Sequence, residues 1–299
     1  MKPIQISDFK KGRSIHGFYV CAEKQLRHAR NGDLFLDMIF SDSTGIISGK
    51  LWGMVDQFQE KFHNGDAVAV KGNITEYNNQ LQLTVLHINK ATNKQYAKYG
   101  FSNDLLFKAV SEPIEKLWKR LERFMHELND PHGQLIRIIF KKYEEKIKII
   151  PAFIGDHYSI RGGFLKHIVT VAEMAMKILP HYPQLDKNLV LSGILIHDIG
   201  KVESFNDALK VDYTDAGKLV GPMVLGLEIL RKFAALVNNF PEELLLRLEH
   251  IVLLNENIKI LDSLDKAKFP EVVFIKCVYS MNFQMDVIFE SINKESISK

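Results

Sequence analysis

An apolar run ends in a titratable pair in the stretch Leu189-Val-Leu-Ser-Gly-Ile-Leu-Ile-His197-Asp198-Ile-Gly-Lys201. The run predicts a buried helix. A titratable pair at the end of such a helix costs free energy unless something binds it. Imidazole beside carboxylate suits a divalent metal. His167, which opens a second helical pattern upstream, extends this to a predicted metal site shared by separate helices of one bundle.

Composition sets the broad class of the protein. The chain has 299 residues, of which 46% are hydrophobic and 25% charged. At ~150 residues per domain this length predicts two soluble globular domains. The net charge is +3. This mildly basic balance permits nucleic-acid binding without requiring it.

Cysteine usage and targeting signals bear on location. Cys21 and Cys277 are the only two cysteines, so the sequence has neither a disulfide scaffold nor a zinc-finger pattern. The N-terminus has no apolar signal core, and no stretch is expected to reach the ~18 apolar residues of a membrane helix. We therefore expect a cytoplasmic protein with no membrane partner.

Short apolar segments alternate with turn signals over residues 13–90. Five strands are predicted, with a helical segment between the third and the fourth, as in an OB-fold β-barrel. Another small five-stranded β-domain is the alternative. We predict an OB-fold nucleic-acid-binding domain over residues 1–90. Its strands are expected at 14–21, 33–40, 46–52, 67–70 with 72–76, and 80–88.

An OB-fold most often binds single-stranded nucleic acid through basic and aromatic side chains on one face. Arg27 and Arg30 fall in a charged segment that is predicted to be a loop, where they would contact phosphates. The aromatic candidates could equally be core residues. The predicted RNA-binding residues are Arg27, Arg30, Phe35, Trp52 and Tyr77.

The second half of the chain has helical periodicity. Residues 91–112 resemble a linker, and apolar residues recur every three or four positions from Pro113 onward. We predict an all-α bundle over residues 113–299, with an introductory helical segment to about residue 160. The fold class is therefore α+β with two domains, a five-stranded OB-fold barrel and a helical bundle.

The flanks of the titratable pair narrow its interpretation. An apolar segment before His197-Asp198 and Ile-Gly-Lys after it resemble the signature of HD-domain metal-dependent phosphohydrolases. The resemblance implies that His167, His197 and Asp198 are metal ligands and that Asp198 is catalytic. It also implies a catalytic role for Lys201, whose cation suits a phosphate oxygen. Gly200 is expected to let the chain leave the helix.

Almost the whole chain, from the barrel to the C-terminal helix, also resembles the YhaM-type 3′-5′ exoribonucleases, which join an OB-fold to an HD domain. That resemblance implies single-stranded RNA as substrate, a divalent metal such as Mn²⁺ and a homo-oligomer. The matching segments are 49–52, 142–146, Gly162-Gly163 with His167, 182–185, His197-Asp198 with Lys201 and Val202, and Tyr213-Thr214 with Gly217, Leu219 and Gly221.

The chain departs from this family within the site. Pro222 and Asn255 stand where the family has histidines, Tyr279 where it has an aspartate, and Lys166 where it usually has a second histidine. Such losses weaken metal binding, so one metal is expected rather than two. Possible compensating ligands are Glu256, Asp286 and His250.

Two functions follow from these observations. The first is a metal-dependent 3′-5′ exoribonuclease in which metal-activated water attacks a phosphodiester. The second is a catalytically weakened or inactive relative that serves as an RNA-binding or assembly module. A phosphohydrolase acting on a free nucleotide is a third possibility, against which the OB-fold argues.

Overall fold

The structure is a computed structural model that describes residues 4–102, 106–107, 109–154, 160–206, 211–253 and 268–297; the side chains of 290, 291 and 293–297 are not described. The chain divides into two compact units, with the main boundary between Ala109 and Val110. The first unit comprises the N-terminal third of the chain, and the second comprises most of the remainder.

The first unit is a closed five-stranded barrel with strand order β1-β2-β3-β5-β4. A short helix, α1 (Val55–Phe58), lies between β3 and β4. This arrangement confirms the predicted OB-fold. The strands are β1 (Ser14–His28), β2 (Leu34–Ser41), β3 (Ile46–Leu51), β4 (Ala67–Tyr77) and β5 (Gln80–Lys90).

Inward-facing residues fill the barrel. Tyr19, Phe40 and Phe62 are completely buried there. A Cβ at Gly49 would lie 2.5 Å from the Phe40 ring, so a glycine is needed for the ring to pack against β3. Asn78 and Asn79 both have positive φ, as a tight hairpin between β4 and β5 requires.

The prediction of a loop over the charged segment 23–30 is wrong in part, because β1 continues to His28. Antiparallel pairing with β2 is maintained along this segment, with Arg27 opposite Phe35. Charged side chains are tolerated there because this part of the strand is mostly exposed. Arg27 is therefore a strand residue, whereas Arg30 lies exposed in the turn that follows.

The segment predicted as a linker carries structure of its own. It contains α2 (Asn93–Tyr96) followed by a 3₁₀ turn, Ala97–Tyr99. Ala91, Phe101 and Leu106 are buried with Val20 and Ala67 of the barrel. The described part of this segment thus packs on the outside of the barrel.

The regular elements of the second unit are helices, and its described residues include isolated bridges but no β-strand. This confirms the predicted all-α class. Its helices are α3 (Ile114–Glu127), α4 (His132–Ile149), α5 (Gly163–Ile178), α6 (Lys187–Ile196), α7 (Lys201–Ser204), α8 (Asp215–Leu219), α9 (Pro222–Ala234), α10 (Glu242–Leu253) and α11 (Pro270–Ile297).

Helix α6 lies at the centre of this bundle, packed against α4, α5, α10 and α11. The Asp186 side chain caps its start by accepting hydrogen bonds from the backbone amides of Asn188 and Leu189. Every residue from Leu189 to Ile196 is buried. The buried helix predicted from the apolar run is confirmed, and it delivers the titratable pair to the interior.

The expectation that no stretch is long and apolar enough for a membrane helix is wrong. Residues Pro270–Phe289 of α11 are long and apolar enough to span a membrane by length and composition, with a mean hydropathy of 1.3. Within the most apolar 18 residues of this segment, 39% are buried inside the protein. Core helices of soluble proteins have the same length and composition, so this finding is weak evidence for a membrane span.

Candidate metal centre

A tight turn connects α6 to α7 and carries the titratable pair. Backbone amides of Ile199 and Lys201 donate to the carbonyls of Ile196 and Asp198, three residues earlier in each case. A Cβ at Gly200 would lie 1.8 Å from the carbonyl oxygen of Pro222. Gly200 is needed because α9 begins directly on this turn, and not for a left-handed backbone, since its φ is −61°.

The turn and α5 bring three metal-ligating side chains together. His167 Nε2 lies 3.3 Å from His197 Nε2. His197 Nε2 lies 3.6 Å from an Asp198 carboxylate oxygen. One ligand atom from each residue falls within 4.8 Å of the others, and all three residues are buried. Among the residues that the structure describes, this is the cluster suited to a metal ion.

Hydrogen bonds outside the cluster orient its imidazoles. His197 Nδ1 lies 2.6 Å from the Ile194 carbonyl oxygen, so the Nδ1–H donates to it and Nε2 keeps a lone pair. His167 Nδ1 faces the Asn282 side-chain nitrogen at 3.4 Å. Asn282 in turn donates to the Asp286 carboxylate at 2.9 Å. Such outer partners fix the orientation of metal ligands.

Burial and neighbouring charges set the protonation of the cluster. Burial lowers the pKa of His167 to about 3, assisted by the neighbouring His197. Burial also lowers the pKa of His197. Burial alone would raise the pKa of Asp198, but the Lys201 ammonium and both imidazoles outweigh it and lower that pKa to about 2. At neutral pH the cluster offers two neutral imidazoles and one carboxylate, the forms that bind metals.

Buried neutral histidines make the metal-free fold sensitive to acid. Burial lowers the pKa of His132, as it does for His167 and His197. The unfolded chain therefore binds protons below about pH 6.5, where the folded protein does not, and stability falls as the pH drops. We expect each histidine to cost up to about 1.4 kcal/mol at pH 5.5.

Urea unfolding at pH 7.5 and 5.5, with chelator present, measures this loss. The H132N variant should show a smaller difference between the two pH values than wild type. His181 is exposed, so H181N should leave the difference unchanged. Equal free energies of unfolding at both pH values would contradict the assignment of neutral buried imidazoles.

Lys201 lies beside the cluster, with 7% of its surface exposed. Its ammonium forms an ion pair with Asp198. The same nitrogen lies 4.3 Å from the centre of the Phe153 ring. The predicted cation beside the metal site is therefore present, and in this structure its partner is a metal-ligating carboxylate.

The residues that stand where the family has metal ligands differ in their distance from the cluster. The Tyr279 ring lies edge-on to His167 and His197, with centroids 5.4 and 5.2 Å away, so an aromatic ring occupies the place expected for an aspartate. Pro222 begins α9 beside Gly200. Lys166 is exposed on α5 and does not join the buried cluster.

The possible compensating ligands do not join the described cluster. Asp286 is exposed and reaches the cluster only through Asn282. His250 is half-buried on α10, with its ring 5.4 Å from that of Phe269. Glu256 and the departing Asn255 lie outside the described residues.

The donor set fits one divalent metal. Catalytic metal sites commonly have three protein ligands and an open position, and here His167, His197 and Asp198 supply three. The outer hydrogen bond from His197 to a backbone carbonyl is typical of a metal-ligating imidazole. Both the chemistry and the protonation of these side chains therefore suit the metal.

A second cluster lies on the barrel, where predicted RNA-binding residues converge. The rings of Phe35 and Trp52 stack with centroids 4.5 Å apart. The Lys50 ammonium lies 5.3 Å from the Phe35 ring, 5.5 Å from that of Trp52 and 5.7 Å from that of Tyr77. We call Phe35, Lys50, Trp52 and Tyr77 the aromatic face. Trp52 and Tyr77 are 49% and 62% exposed.

Strand register explains this convergence. Arg27 pairs with Phe35 across β1 and β2, so both side chains point outward on one side of the sheet. Asp37 pairs with Lys50 across β2 and β3. Arg27 also lies 3.2 Å from Asp37, so its charge is partly compensated. Lys50 was not among the predicted RNA-binding residues, although its place between two inward-facing positions of β3 is a usable signal.

Comparison with protein families gives two matches. A model of the OB-fold nucleic acid binding domain matches residues 20–91, and a model of the HD domain matches residues 164–267. The second match contains His167, His197 and Asp198. Among solved structures, the second OB-fold domain of replication protein A from Methanococcus maripaludis is 21% identical, with a TM-score of 0.26 over 30% of this chain and 94% of that chain.

Curated relatives match both domains together. The 3′-5′ exoribonuclease YhaM of Shouchella clausii is 29% identical over 250 residues, which are 83% of this chain and 76% of that protein. The enzyme of the same name from Oceanobacillus iheyensis is 29% identical over 81% of this chain and 75% of its own. The enzyme of that name from Halalkalibacterium halodurans is 28% identical over 82% of this chain and 75% of its own length. These matches confirm the family resemblance read from the sequence.

Proposed function

We propose, since this chain is a homologue of the 3′-5′ exoribonucleases YhaM and carries an OB-fold and an HD domain, that it is a metal-dependent 3′-5′ exoribonuclease acting on single-stranded RNA. The observation that carries the proposal is the buried convergence of His167, His197 and Asp198. Mn²⁺ is the metal we propose for this site.

The metal ligands have distinct roles in this proposal. His167 and His197 would hold the metal through Nε2, and Asp198 would hold it through a carboxylate oxygen. A divalent metal bound there supplies an activated water and positive charge that offsets the phosphate. The Ile194 carbonyl fixes the His197 ring, so that Nε2 faces the cluster. The Asn282 amide, held by Asp286, faces His167 Nδ1 and restrains that ring.

Lys201 acts on both the site and the substrate. Its ammonium keeps Asp198 ionised, since it lowers the pKa of that carboxyl. A fixed cation beside the reacting phosphodiester also stabilises the charge that develops there. The Phe153 ring beneath the ammonium keeps water away from one side of it. We therefore assign Lys201 to binding a phosphate oxygen of the substrate.

The aromatic face of the barrel supports the choice of single-stranded RNA. Exposed Trp52 and Tyr77 offer surfaces on which bases stack, and such stacking needs unpaired bases. Lys50 lies among these rings, where it can pair with a backbone phosphate. Arg27 and Arg30 lie on and after β1 and extend this basic character.

A 5′-labelled single-stranded RNA tests the proposed activity. With Mn²⁺ we expect a ladder of progressively shorter 5′-labelled products, which marks removal of nucleotides from the 3′ end. Chelator should stop the reaction, and a blunt duplex of the same sequence should resist it. Products of a single internal cut, or no shortening with Mn²⁺, would refute the proposal.

A non-catalytic RNA-binding role is the second candidate, and one observation favours it. The Tyr279 ring occupies the place of an expected aspartate, so the described cluster has one carboxylate, which is engaged by Lys201. In this second role wild type binds RNA without shortening it, and Y279D gains Mn²⁺-dependent shortening. Under the exoribonuclease proposal wild type already shortens RNA.

A further inference from the structure

The barrel has a second concave surface, distinct from the aromatic face. A cavity of about 910 Å³ lies where β1 runs beside β4, with α2 and the 3₁₀ turn after it as one wall. The aromatic face is built instead on β2 and the end of β3, with Tyr77 from the end of β4. We call this cavity the β4 cavity.

The floor of the β4 cavity consists of two rows of residues that are neighbours across the strands. His16, Lys71 and His87 are neighbours across β1, β4 and β5. Phe18, Ala69 and Asn89 form the next row on the same side. Ala69 is small, so a depression opens between the larger residues on either side of it.

The β4 cavity is basic. Lys71 of the floor and Lys94 and Lys98 of the wall line it and are exposed. Its lining includes no aspartate or glutamate among the described residues. No ion pair in the part of the chain that the structure describes involves these three lysines. Their charges are therefore available to an anion in the cavity.

Aromatic side chains complete the lining. Tyr96 packs edge-on against Phe18, with ring centroids 5.7 Å apart, which fixes the wall on the floor. Tyr99 is 58% exposed, and the Lys98 ammonium lies 5.1 Å from its ring. An exposed ring beside a cation is suited to a base attached to a phosphate.

We propose that the β4 cavity is a second nucleotide-binding site, which takes phosphates and a base from the same single-stranded RNA that occupies the aromatic face. Small-ligand pockets range from about 300 to 1,000 Å³, and this cavity lies at the upper end, with room for more than one nucleotide. The choice of RNA as the ligand rests on the proposed function. The cationic and aromatic character of the lining does not depend on the proposed function.

Binding of fluorescent RNA in the presence of chelator tests the site without cleavage. Two lengths are compared, a six-nucleotide strand that one face can hold and a 20-nucleotide strand that can reach both. The K71A/K98A double variant should bind the long strand with a salt slope smaller by about 1.4, since each lost phosphate contact removes about 0.7. Tyr99→Ala should weaken long-strand binding at least about fivefold. Each should change binding of the short strand less, since a short strand can still bind on the aromatic face.

A charge-matched control and a competitor complete the experiment. Lys10 and Lys119 are exposed and do not line the cavity, so K10A/K119A should keep the wild-type slope. A cavity double variant with the wild-type slope and affinity would overturn the proposal. Loss of binding to adenosine monophosphate alone, with long-strand affinity unchanged, would also overturn it and assign the site to a free nucleotide. Failure of wild type to bind any RNA would instead refute the proposed function.

Discussion

Asp198→Asn should lower the rate of Mn²⁺-dependent RNA shortening by more than about 100-fold, since even outer-shell changes cost ~10–100-fold. The substitution keeps the shape of the side chain but removes the carboxylate of the described cluster. It also removes the partner of the Lys201 ammonium, so the cation then opposes a metal at close range. The rate is measured with saturating 5′-labelled RNA over a range of Mn²⁺ concentrations.

Two controls separate lost chemistry from lost fold. Glu243 forms an exposed ion pair with Arg247 on α10, and E243Q should retain the wild-type rate because exposed pairs contribute little. Thermal unfolding of D198N in chelator confirms that the variant is folded at the assay temperature. A folded D198N variant that shortens RNA as fast as wild type would refute the role of this carboxylate.

Trp52→Ala should weaken binding of single-stranded RNA by about 5- to 150-fold, because stacking of one base on an aromatic ring contributes ~1–3 kcal/mol. The side chain is half exposed and stacks on Phe35, so its removal takes away one surface of the aromatic face. Binding is measured by fluorescence anisotropy in chelator with a short labelled strand.

Ile46 provides a matched control for this substitution. It lies on the same strand as Lys50, is 72% exposed and has no contact with the stacked rings among those described. I46A should bind RNA as wild type does. Equal affinities of W52A and wild type would show that RNA does not stack there, and the aromatic face would then be structural.

The barrel could be predicted where strands bury one side. Alternation of apolar residues, as in Leu83 and Val85, indicated strands because the inward positions must pack in the core. The second half of β1 was missed because its side chains are mostly exposed and several are charged, which is also the pattern of a loop. Pairing with β2 maintains that segment as a strand, and its exposed side chains do not indicate that pairing.

The site was predictable to the extent that it lies in one turn and one helix. His197 and Asp198 follow a buried helix, and His167 faces them from α5. The roles of Asn282 and Asp286 could not be predicted, since they depend on how α11 packs against α5. Lys166 lies outside the cluster because adjacent residues on a helix point about 100° apart, so its neighbour His167 is buried while Lys166 is exposed.

Anomalous diffraction at a wavelength where manganese scatters strongly, from crystals soaked in Mn²⁺, tests the metal centre most directly. We expect a peak bound at about 2 Å to His167 Nε2, His197 Nε2 and an Asp198 carboxylate oxygen, with Lys201 displaced from that carboxylate. The absence of a peak among these three side chains at saturating Mn²⁺, with Lys201 still paired to Asp198, would contradict the assignment of this cluster as a metal centre.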